Sequence, residues 1–558
     1  DLDELVENPC RRVEATDCRS HRHIPLPVDL YGDERRNAIG WDLTDPDVVN
    51  EMETQLRQVC MHSWQSAARI GGDDRQGESV ALLNPADSAQ VLGRVCEADG
   101  QDVERALALA ADAALPWDAA GGYKRATILL TAADRFEEKA PELIARVIRE
   151  GGRTLRDAIA EVREAVDFCR YYALQAKQEF ERPRSLPGPT GEKNELQLHG
   201  RGVFACISPW NFPLAIFVGQ IAAALAAGNS VLAKPARQTP LTGYHAVCLL
   251  HQAGVPADVL HFLPGSGAAI GAQILPDRRL SGVAFTGSTD TAWKIQRALA
   301  DRQGAIVPLI AETGGQNVMI ADSSALPEQL VVDVLQSAFN SAGQRCSALR
   351  VLFVQNEIAA RVIRLLAAAM QEIQIGDPLL LASDVGPLID QDAARSLQPH
   401  VARLQREARL LQRVDPPQNL QAGCFFPLQA FELESLALLE KEVFGPVLHV
   451  VRYRADKLER VIDAVNNTGY GLTLGVHSRI EETWLRVQAR AKVGNLYINR
   501  NMIGAVVGAQ PFGGEGLSGT GPKAGGPYYL HRFATERTLS VNTAAVGGNT
   551  GLLSLPED

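Results

Sequence analysis

The chain has 558 residues, 46% of them hydrophobic and 22% charged, and a formal net charge of −11. This ordinary globular composition predicts two or three large structural units. The acidic balance, without a basic block, argues against a nucleic-acid partner. The stretch that comes closest to a membrane span, residues 215–228, is short and is interrupted by Gly219 and Gln220, so it reads as a buried helix and no membrane segment is expected.

The nine cysteines are scattered along the chain, without CxxC pairs and without the spacing of metal ligands. An odd, dispersed set in a long chain is typical of reduced thiols in a reducing compartment. We therefore expect a cytoplasmic protein, and we assign no residue to a metal.

The N-terminal third of the chain changes character twice. Residues 1–45 mix Pro, Gly, Arg and Asp with little periodicity and begin without an initiator methionine, which predicts a linker after an upstream part that this sequence lacks. Residues 46–180 read as mostly helical, because apolar residues recur at three- and four-residue intervals over 102–114 and 154–176. A Pro/Gly-rich break and a polar stretch follow at 182–199 and predict an extended arm.

From residue 200 to 320, short apolar runs alternate with helical stretches. Strands that alternate with helices predict right-handed crossovers and a parallel, doubly wound sheet. A second α/β unit is expected over 309–510, with strands at "RVLFVQ", "VLHVVRY", "LTLGVHS" and "GNLYINR", and the chain end reads as extended and exposed. Sheets of this kind bind ligands at the carboxyl ends of their strands.

Polar residues follow several of these strands, and each has two interpretations. Asn211 in "ISPWNFP" could donate a hydrogen bond to an oxyanion or could stabilise its own turn. Lys234 in "LAKPA" could reach nucleotide hydroxyls or lie on the surface. Gly287 and Ser288 in "FTGSTD" could meet a pyrophosphate at a helix start or act as a plain cap. The nearby "PGSGAAIG", which contains Gly267, departs from the usual dinucleotide fingerprint.

The second half of the chain adds a carboxylate, an acid–aromatic pair and a thiol. Glu312 follows a strand and precedes two glycines, so it could act as a general base or be simply solvated. Glu442 and Phe444 in "EKEVFGPVLHV" could hold a ribose and flank a ring. Cys346 in "FNSAGQRCSALR" is either a small hydrophobe that fills a core gap or a nucleophile presented to a substrate.

Taken in chain order, the motifs of Asn211, Lys234, Gly287 and Ser288, Glu312, Cys346, and Glu442 and Phe444 resemble the aldehyde dehydrogenase superfamily over about residues 60–540. The resemblance implies an α/β aldehyde dehydrogenase fold with a β-flap oligomerisation arm, and therefore a homo-oligomer. It implies a Rossmann-like NAD-binding domain at 46–308, interrupted by the arm at 182–199, and a catalytic domain at 309–510. The anchor, oligomerisation flap and C-terminal tail would then occupy 511–558.

Three further stretches narrow the resemblance to one branch. Residues 508–530, residues 340–352 and the tail "VNTAAVGGNTGLLSL" look like the glutamate-semialdehyde (pyrroline-5-carboxylate) dehydrogenase part of bifunctional proline utilization A. Residues 30–43 resemble the linker after the proline dehydrogenase domain of such proteins, which implies that domain upstream in the full-length protein. The implied reaction is NAD-dependent oxidation of L-glutamate γ-semialdehyde to L-glutamate, the second step of proline catabolism.

The resemblance also implies roles for individual residues. The Cys346 thiolate, favoured by a cationic nicotinamide ring, attacks the aldehyde. The Asn211 amide and the Cys346 backbone N–H hold the oxyanion, hydride passes to NAD, and Glu312 activates water to hydrolyse the thioester. The cofactor-binding set is Ile207, Ser208, Pro209, Trp210, Lys234, Gly267, Gly287, Ser288, Glu442 and Phe444.

The substrate-binding set implied by the branch is Glu164, Arg345, Ser347, Gly504, Ala505 and Phe512. Ser347, Gly504 and Ala505 are expected to form an anion-binding concavity for the carboxylate. Phe512 would pack on the aliphatic stem, and Glu164 would meet the amino group.

One departure from the family pattern concerns the cofactor. Many NAD-using relatives have Glu after "KPA" or "KPS", and here that place is taken by Arg237. A guanidinium could favour a 2′-phosphate, so the hypothesis is weakened discrimination between NAD and NADP, with NAD still preferred. Alternatively, Arg237 points into solvent and changes little.

Three rival functions stay open at this point. An acyl-transferring relative would pass the thioester to coenzyme A or phosphate, but such enzymes dispense with a hydrolytic base, so Glu312 argues against it. A catalytically silent module kept for assembly is opposed by the intact Cys346, Asn211, Glu312 and Glu442. Succinic or adipic semialdehyde as the preferred substrate would leave Glu164 without an amine.

Overall fold

The computed structural model describes residues 6–15, 23–547 and 551. The helices are α1 (Pro9–Ala15), α2 (Pro46–Cys60), α3 (Gly100–Ala119), α4 (Gly122–Glu138), α5 (Ala140–Gly151), α6 (Leu155–Glu179), α7 (Ala215–Ala226), α8 (Pro240–Gln252), α9 (Gly267–Ile274), α10 (Thr289–Asp301), α11 (Pro327–Phe339), α12 (Asn356–Gln371), α13 (Gln391–Glu407), α14 (Leu458–Asn466) and α15 (Glu481–Arg490).

The strands are β1 (Trp64–Ala67), β2 (Arg69–Ile70), β3 (Asp73–Asp74), β4 (Val80–Asn84), β5 (Asp87–Cys96), β6 (Arg184–Leu186), β7 (Glu192–Gly200), β8 (Val203–Ile207), β9 (Ser230–Lys234), β10 (Leu260–Phe262), β11 (Leu280–Thr286), β12 (Leu309–Glu312), β13 (Val318–Ala321), β14 (Val351–Gln355), β15 (Arg409–Val414), β16 (Leu428–Leu433), β17 (Val447–Tyr453), β18 (Tyr470–Gly471), β19 (Thr473–His477), β20 (Asn495–Ile498), β21 (Glu515–Gly516) and β22 (Ala534–Asn542).

The first large sheet has the order β12-β11-β8-β9-β10-β2-β3. Its strands β8 to β12 are parallel and are joined by helices, as the alternation of apolar runs and helical stretches predicts. β2 and β3 close one edge in antiparallel pairing. Buried side chains pack on both faces of this sheet, and the doubly wound architecture is confirmed.

The second large sheet has the order β15-β16-β17-β14-β13-β19-β20 and is parallel except for the edge strand β15. The strands expected at "RVLFVQ", "VLHVVRY", "LTLGVHS" and "GNLYINR" are β14, β17, β19 and β20. β12 pairs with β11 and so belongs to the first sheet, and the chain passes to the second sheet through residues 313–317. The division of the chain into domains stays a prediction.

The region 46–180 is less helical than its periodicity suggests. Residues 64–96 form β1 to β5, and the mostly helical interpretation is wrong there. These strands are mostly two to five residues long, which is too short for a period of two to stand out in the sequence. The longest of them, β5, is largely exposed along its first half and so lacks an apolar alternation.

The predicted arm and the C-terminal segment form one antiparallel sheet of order β22-β7-β6. β7 and β22 pair along nine residues, from Glu192 with Asn542 to Gly200 with Ala534. Asp118 of α3 ties this sheet to the body of the protein, because it accepts a hydrogen bond from the Gly200 N–H at 2.7 Å and lies 2.7 Å from His199 Nδ1. Most of β22 is exposed.

The described part of the expected linker packs against α6. Asp167 accepts hydrogen bonds from Arg35 at 3.1 Å and from the Ala38 backbone N–H at 3.0 Å, and Ala38 is fully buried. Residues 1–5 and 16–22 of the linker, and most of the tail after residue 547, lie outside the described residues. Among the described helices, none combines the length and apolarity that a bilayer crossing requires.

The chain near residue 530 anchors the C-terminal end on the first sheet. The rings of Phe533 and Phe204 of β8 lie 4.9 Å apart, and both side chains are fully buried. The Asn229 amide donates a hydrogen bond to the Phe533 carbonyl at 2.9 Å. The strand β22 starts directly after this anchor, so the anchor positions the arm sheet.

We expect Phe533→Ala to lower the free energy of unfolding by about 3–5 kcal/mol, because a large cavity would open beneath β22. Urea unfolding followed by circular dichroism measures the change. The matched control is Tyr528→Ala, which removes an exposed ring from the same segment and should change stability by no more than about 0.5 kcal/mol. Equal losses in the two variants would contradict this role for Phe533.

Candidate active site

The carboxyl ends of the parallel strands in the first sheet bring several predicted site residues to one edge. Ile207 at the end of β8 pairs with Lys234 at the end of β9. Thr286 at the end of β11 pairs with Glu312 at the end of β12, and β8 and β11 are neighbours. Motifs separated by more than one hundred residues in sequence therefore share this edge.

Cys346 follows a turn of unusual backbone geometry. Ser341 and Ala342 both have φ of 55°, and Gly343 has φ of 67°, so three successive residues are left-handed. A non-glycine residue with positive φ has a strained backbone, and such strain persists only where surrounding contacts stabilise the conformation. Cys346 is half-buried and lies three residues after Gly343.

Asp157 of α6 supplies contacts that hold the turn. Its carboxylate accepts hydrogen bonds from the Ser341 hydroxyl at 2.7 Å and from Arg345 at 2.8 Å. Arg345 also donates to the Ser341 oxygen at 3.0 Å, so the three side chains close a ring of hydrogen bonds. Burial opposes the charge of Asp157, but Arg345 and Arg153 outweigh it and lower the pKa of this carboxyl.

Asn317 and Arg350 bind the backbone of the same loop. The Asn317 amide donates to the carbonyls of Cys346 and Ala348. The Arg350 guanidinium donates to the carbonyls of Gly343 at 2.6 Å and Arg345 at 2.9 Å. The loop that carries the thiol is therefore held by side chains at both of its ends.

A cavity of about 220 Å³ opens beside Cys346. Its walls include Cys346, Glu312 and all six residues of the predicted substrate-binding set: Glu164, Arg345, Ser347, Gly504, Ala505 and Phe512. The structure thus brings together residues from α6, from the edge of the first sheet, from the Cys346 loop and from the segment after β20. Their individual roles stay predictions.

Glu312 lies in the cavity wall with its carboxyl against a glycine-rich segment. The Gly514 backbone N–H donates to one carboxyl oxygen at 3.0 Å, and the other oxygen is buried without a hydrogen-bond partner in the described part of the chain. Burial raises the pKa of Glu312 to about 8, although the Gly514 hydrogen bond and Lys523 act in the opposite direction. A carboxyl with such a pKa exchanges protons readily near neutral pH, as a general base requires.

The Cys346 thiol is protonated near neutral pH in this structure. Burial raises its pKa to about 12, and the negative charges of Glu442 and Glu312 add to that effect, whereas Arg345 lowers it. The thiolate expected from the family mechanism therefore requires a change in the charge around the sulphur or a base that takes its proton.

Three carboxyl groups of α6 line the same cavity. Asp157, Glu161 and Glu164 recur at four- and three-residue intervals and so lie on one face of the helix. Burial and the neighbouring Glu161 raise the pKa of Glu164 to about 7, while Arg345 and Arg153 lower it. Glu161 itself accepts hydrogen bonds from the backbone N–H groups that begin α7.

Asn211 is buried next to the nucleophile loop. Its amide donates a hydrogen bond to the Gln344 carbonyl at 3.1 Å, two residues before Cys346. An amide NH2 group carries two hydrogens, so the second one remains for an oxyanion. The next residue, Phe212, lines the cavity. The guanidinium groups of Arg153 and Arg345 lie over its ring, 4.5 Å and 5.2 Å from the ring centroid.

The predicted cofactor residues lie along the sheet edge. Lys234 is buried, and within the described ranges its ammonium has one hydrogen-bond acceptor, the Pro235 carbonyl. Burial lowers the pKa of Lys234 to about 8. A β-carbon added to Gly267 would lie 3.9 Å from the Lys234 ammonium, so the turn "GSG" passes beside it. Ser288 caps α10 by accepting a hydrogen bond from the Thr291 N–H.

Glu442 and Phe444 reach the same edge from the segment before β17. The Phe444 ring meets Trp210 edge-on at 5.6 Å. A β-carbon on Gly314 would fall 1.8 Å from a Glu442 carboxyl oxygen, so only glycine admits this carboxylate. The sheet edge therefore offers groups that fit a dinucleotide: the Lys234 ammonium, the start of α10, the Glu442 carboxylate and the ring pair of Trp210 and Phe444.

Sequence reasoning missed the residues that position the nucleophile. Asp157, Arg153 and Arg350 were not singled out, although each contacts or borders the Cys346 loop. A signal for Asp157 was present, because acidic residues at 157, 161 and 164 form a charged stripe on an otherwise apolar helix face. No local pattern marks Arg350, whose partners are backbone carbonyls distant in sequence.

Comparison with known proteins agrees with this geometry. The profile of the Aldehyde dehydrogenase family matches residues 73–539. Bifunctional protein PutA of Escherichia coli (strain K12) is 48% identical over 97% of this chain and 41% of its own length, so the chain spans about two-fifths of that relative. The 1-pyrroline-5-carboxylate dehydrogenase of Geobacillus thermodenitrificans is 36% identical over 84% of this chain and 92% of its own length.

Two solved structures extend the comparison. A crystal structure of bifunctional proline utilization A matches with a TM-score of 0.86 and 49% identity, over 98% of this chain and 52% of that one. The 1-pyrroline-5-carboxylate dehydrogenase from Thermus with bound NAD matches with a TM-score of 0.86 and 31% identity, over 94% of this chain and 100% of that one. This combination of parallel sheets, polar groups at the sheet edge and a thiol in the cavity is that of an oxidoreductase. This chain belongs to the aldehyde dehydrogenase family.

The electrostatics of the thiol lead to a prediction. Glu442→Gln removes a negative charge that raises the pKa of Cys346, so we expect a larger thiolate fraction and severalfold faster alkylation by iodoacetamide at pH 8. Mass spectrometry of the peptide that contains Cys346 measures the rate. Glu440→Gln, which removes an exposed carboxylate two residues away, should leave the rate unchanged. An unchanged or slower rate in Glu442→Gln would contradict the assignment.

Proposed function

We propose that this chain oxidises L-glutamate γ-semialdehyde to L-glutamate with NAD, through a thiohemiacetal and a thioester on Cys346. The observation that carries the proposal is one cavity whose walls hold Cys346 and Glu312 together with Glu164, Ser347 and Gly504. The similar relatives named 1-pyrroline-5-carboxylate dehydrogenase support the same substrate.

The first half-reaction begins at the thiol. The Cys346 sulphur attacks the aldehyde carbon as its proton leaves, and Glu312, whose pKa is raised to about 8, is the nearby acceptor matched to neutral pH. The carbonyl oxygen becomes an oxyanion held by the second Asn211 hydrogen and the Cys346 backbone N–H. When bound, NAD supplies the hydride acceptor, and loss of hydride converts the thiohemiacetal to a thioester.

The second half-reaction is hydrolysis. Glu312 first releases the thiol proton to solvent and then takes a proton from water as the hydroxyl adds to the thioester carbon. The C–S bond breaks to release the acid, and the departing sulphur takes the proton from Glu312, which restores the thiol and the carboxylate. Because Glu312 is a buried base in the wall of the same cavity, hydrolysis is favoured over transfer of the acyl group to coenzyme A or phosphate.

Substrate recognition combines two charges. Glu164 on α6 accepts the substrate ammonium, and its raised pKa falls when a cation binds beside it. Ser347, Gly504 and Ala505 take the carboxylate with hydroxyl and backbone N–H groups. Phe512 lines the same cavity and packs on the aliphatic stem.

NAD would be held by the edge residues of the first sheet. Lys234 and Glu442 bind ribose hydroxyls, and the start of α10 at Gly287 and Ser288 meets the pyrophosphate. The NAD-bound structure of a relative with a TM-score of 0.86 supports this cofactor. Use of NADP is a finer proposal, since Arg237 offers a guanidinium to a 2′-phosphate.

The function is tested by supplying glutamate semialdehyde with NAD and, separately, NADP at matched concentrations, without coenzyme A or added phosphate. We expect reduced NAD and free glutamate in equal amounts, with a lower rate for NADP, and no turnover in Cys346→Ala. Absence of turnover from a folded chain that binds NAD would contradict the proposed substrate. Product formation that requires coenzyme A would favour the acyl-transfer alternative.

Glu164 gives a second test, because it distinguishes substrates by their amino group. We expect Glu164→Gln to raise KM for glutamate semialdehyde by about tenfold or more, since a charge-assisted hydrogen bond is lost. Succinic semialdehyde has no amine, so its KM should change far less. A parallel rise for both substrates would show that Glu164 shapes the cavity and does not bind the amine.

We infer self-association through the arm sheet, because β22 is a largely exposed edge strand. We infer a cytoplasmic location, and the free state of every cysteine among the described residues supports a reducing compartment.

We infer a proline dehydrogenase domain as the upstream partner in the full-length protein, since the chain spans 41% of the relatives named bifunctional protein PutA.

A further inference from the structure

Beside the carboxyl ends of β9 and β10 lies a carboxylate, Glu97, that takes no part in the proposed mechanism. Lys234 ends β9, and Arg237 follows three residues later. Glu97 comes from a distant part of the chain, directly after β5, and its carboxylate accepts a hydrogen bond from Arg237 Nε at 3.0 Å. An acid from another segment therefore lies beside the arginine at the place where many NAD-using relatives are expected to have glutamate.

Glu97 and Lys234 border the same turn. A β-carbon on Gly265 would lie 3.8 Å from the Glu97 carboxyl carbon, and one on Gly267 would lie 3.9 Å from the Lys234 ammonium. The Ala98 backbone N–H donates to the Pro264 carbonyl at 2.9 Å, which fixes the Glu97 segment against this turn. Glu97 is also the acidic residue whose charge acts on Lys234, where it opposes the effect of burial on the pKa.

Dinucleotide sites choose between NAD and NADP by charge. A carboxylate accepts hydrogen bonds from the 2′-hydroxyl of the adenosine ribose, whereas an arginine accommodates the 2′-phosphate. This chain carries both groups at one place, and they are paired with each other. The pair leaves the guanidinium partly neutralised and the second carboxylate oxygen available as an acceptor.

We propose that Glu97 is the cofactor-selecting carboxylate of this protein: it takes the place of the glutamate lost at position 237, binds the adenosine ribose hydroxyl and repels a 2′-phosphate. The inference rests on the NAD-dependent function proposed above and refines it, because it names the residue that makes NAD the preferred cofactor despite Arg237. A 2′-phosphate would have to break the Glu97–Arg237 pair and lie beside a carboxylate of the same sign.

The test is the dissociation constants of NAD and NADP, measured by titration calorimetry without substrate for the unsubstituted chain, Glu97→Gln, Arg237→Gln and the double variant. We expect Glu97→Gln to weaken NAD, strengthen NADP and shift the ratio of the two constants by at least about tenfold. The gain for NADP should vanish in the double variant, because it depends on the freed guanidinium. Arg237→Gln alone should keep the preference for NAD.

The matched control is Glu104→Gln. Glu104 forms an exposed pair with Arg279, which precedes β11 and so lies at the opposite end of the strands, and its loss should leave both constants unchanged. An unchanged ratio in Glu97→Gln, with NAD still bound by the unsubstituted chain, would overturn this inference alone. Failure of the unsubstituted chain to bind either dinucleotide would overturn the cofactor assignment as well.

Discussion

The hydrogen bonds of Asp157 to Ser341 and Arg345 are the constraint on which the site depends. They join a helix packed in the core of the first sheet to the left-handed turn that presents Cys346. Two successive non-glycine residues with positive φ cost about 1–3 kcal/mol each, so the turn needs such external contacts to persist. The same carboxylate therefore fixes the position of the thiol relative to the cavity and to the edge of the first sheet.

The cavity combines buried acids and buried guanidinium groups in an arrangement that is only partly neutralised. Among the described residues, Arg153 in its wall has no hydrogen-bond partner for its guanidine nitrogens and pairs with Glu161 only at 3.7 Å, and Glu312 has one oxygen without a partner. Burying polar groups without full pairing costs free energy of folding, and such groups occur mainly at functional sites. Here burial raises the pKa of Glu164 to about 7 and that of Glu312 to about 8, which is the range that proton transfer at neutral pH requires.

Much of the architecture was predictable, because strand and helix periodicities are local. The alternation of short apolar runs and helices identified the parallel strands β8 to β11, and the rule that their carboxyl ends share an edge brought Asn211, Lys234 and Ser288 into one neighbourhood. The strand before Glu312 was expected in the second α/β unit, and the structure places it in the first sheet. The strands between residues 64 and 96 were missed, since runs of two to five residues carry too little periodicity. The residues that support the nucleophile were missed as well, because Asp157 and Arg350 act on partners far away in sequence.

By itself, the sequence determined the family, the order of the motifs and the chemical identity of the reacting groups, since these depend on residue types and short spacings. Tertiary structure decided which charges meet. It paired Arg237 with Glu97, 140 residues away, and it placed Glu442 close enough to Cys346 to raise the pKa of the thiol. Distances between side chains and the desolvation of each charge are properties of the packed molecule, and no local pattern encodes them.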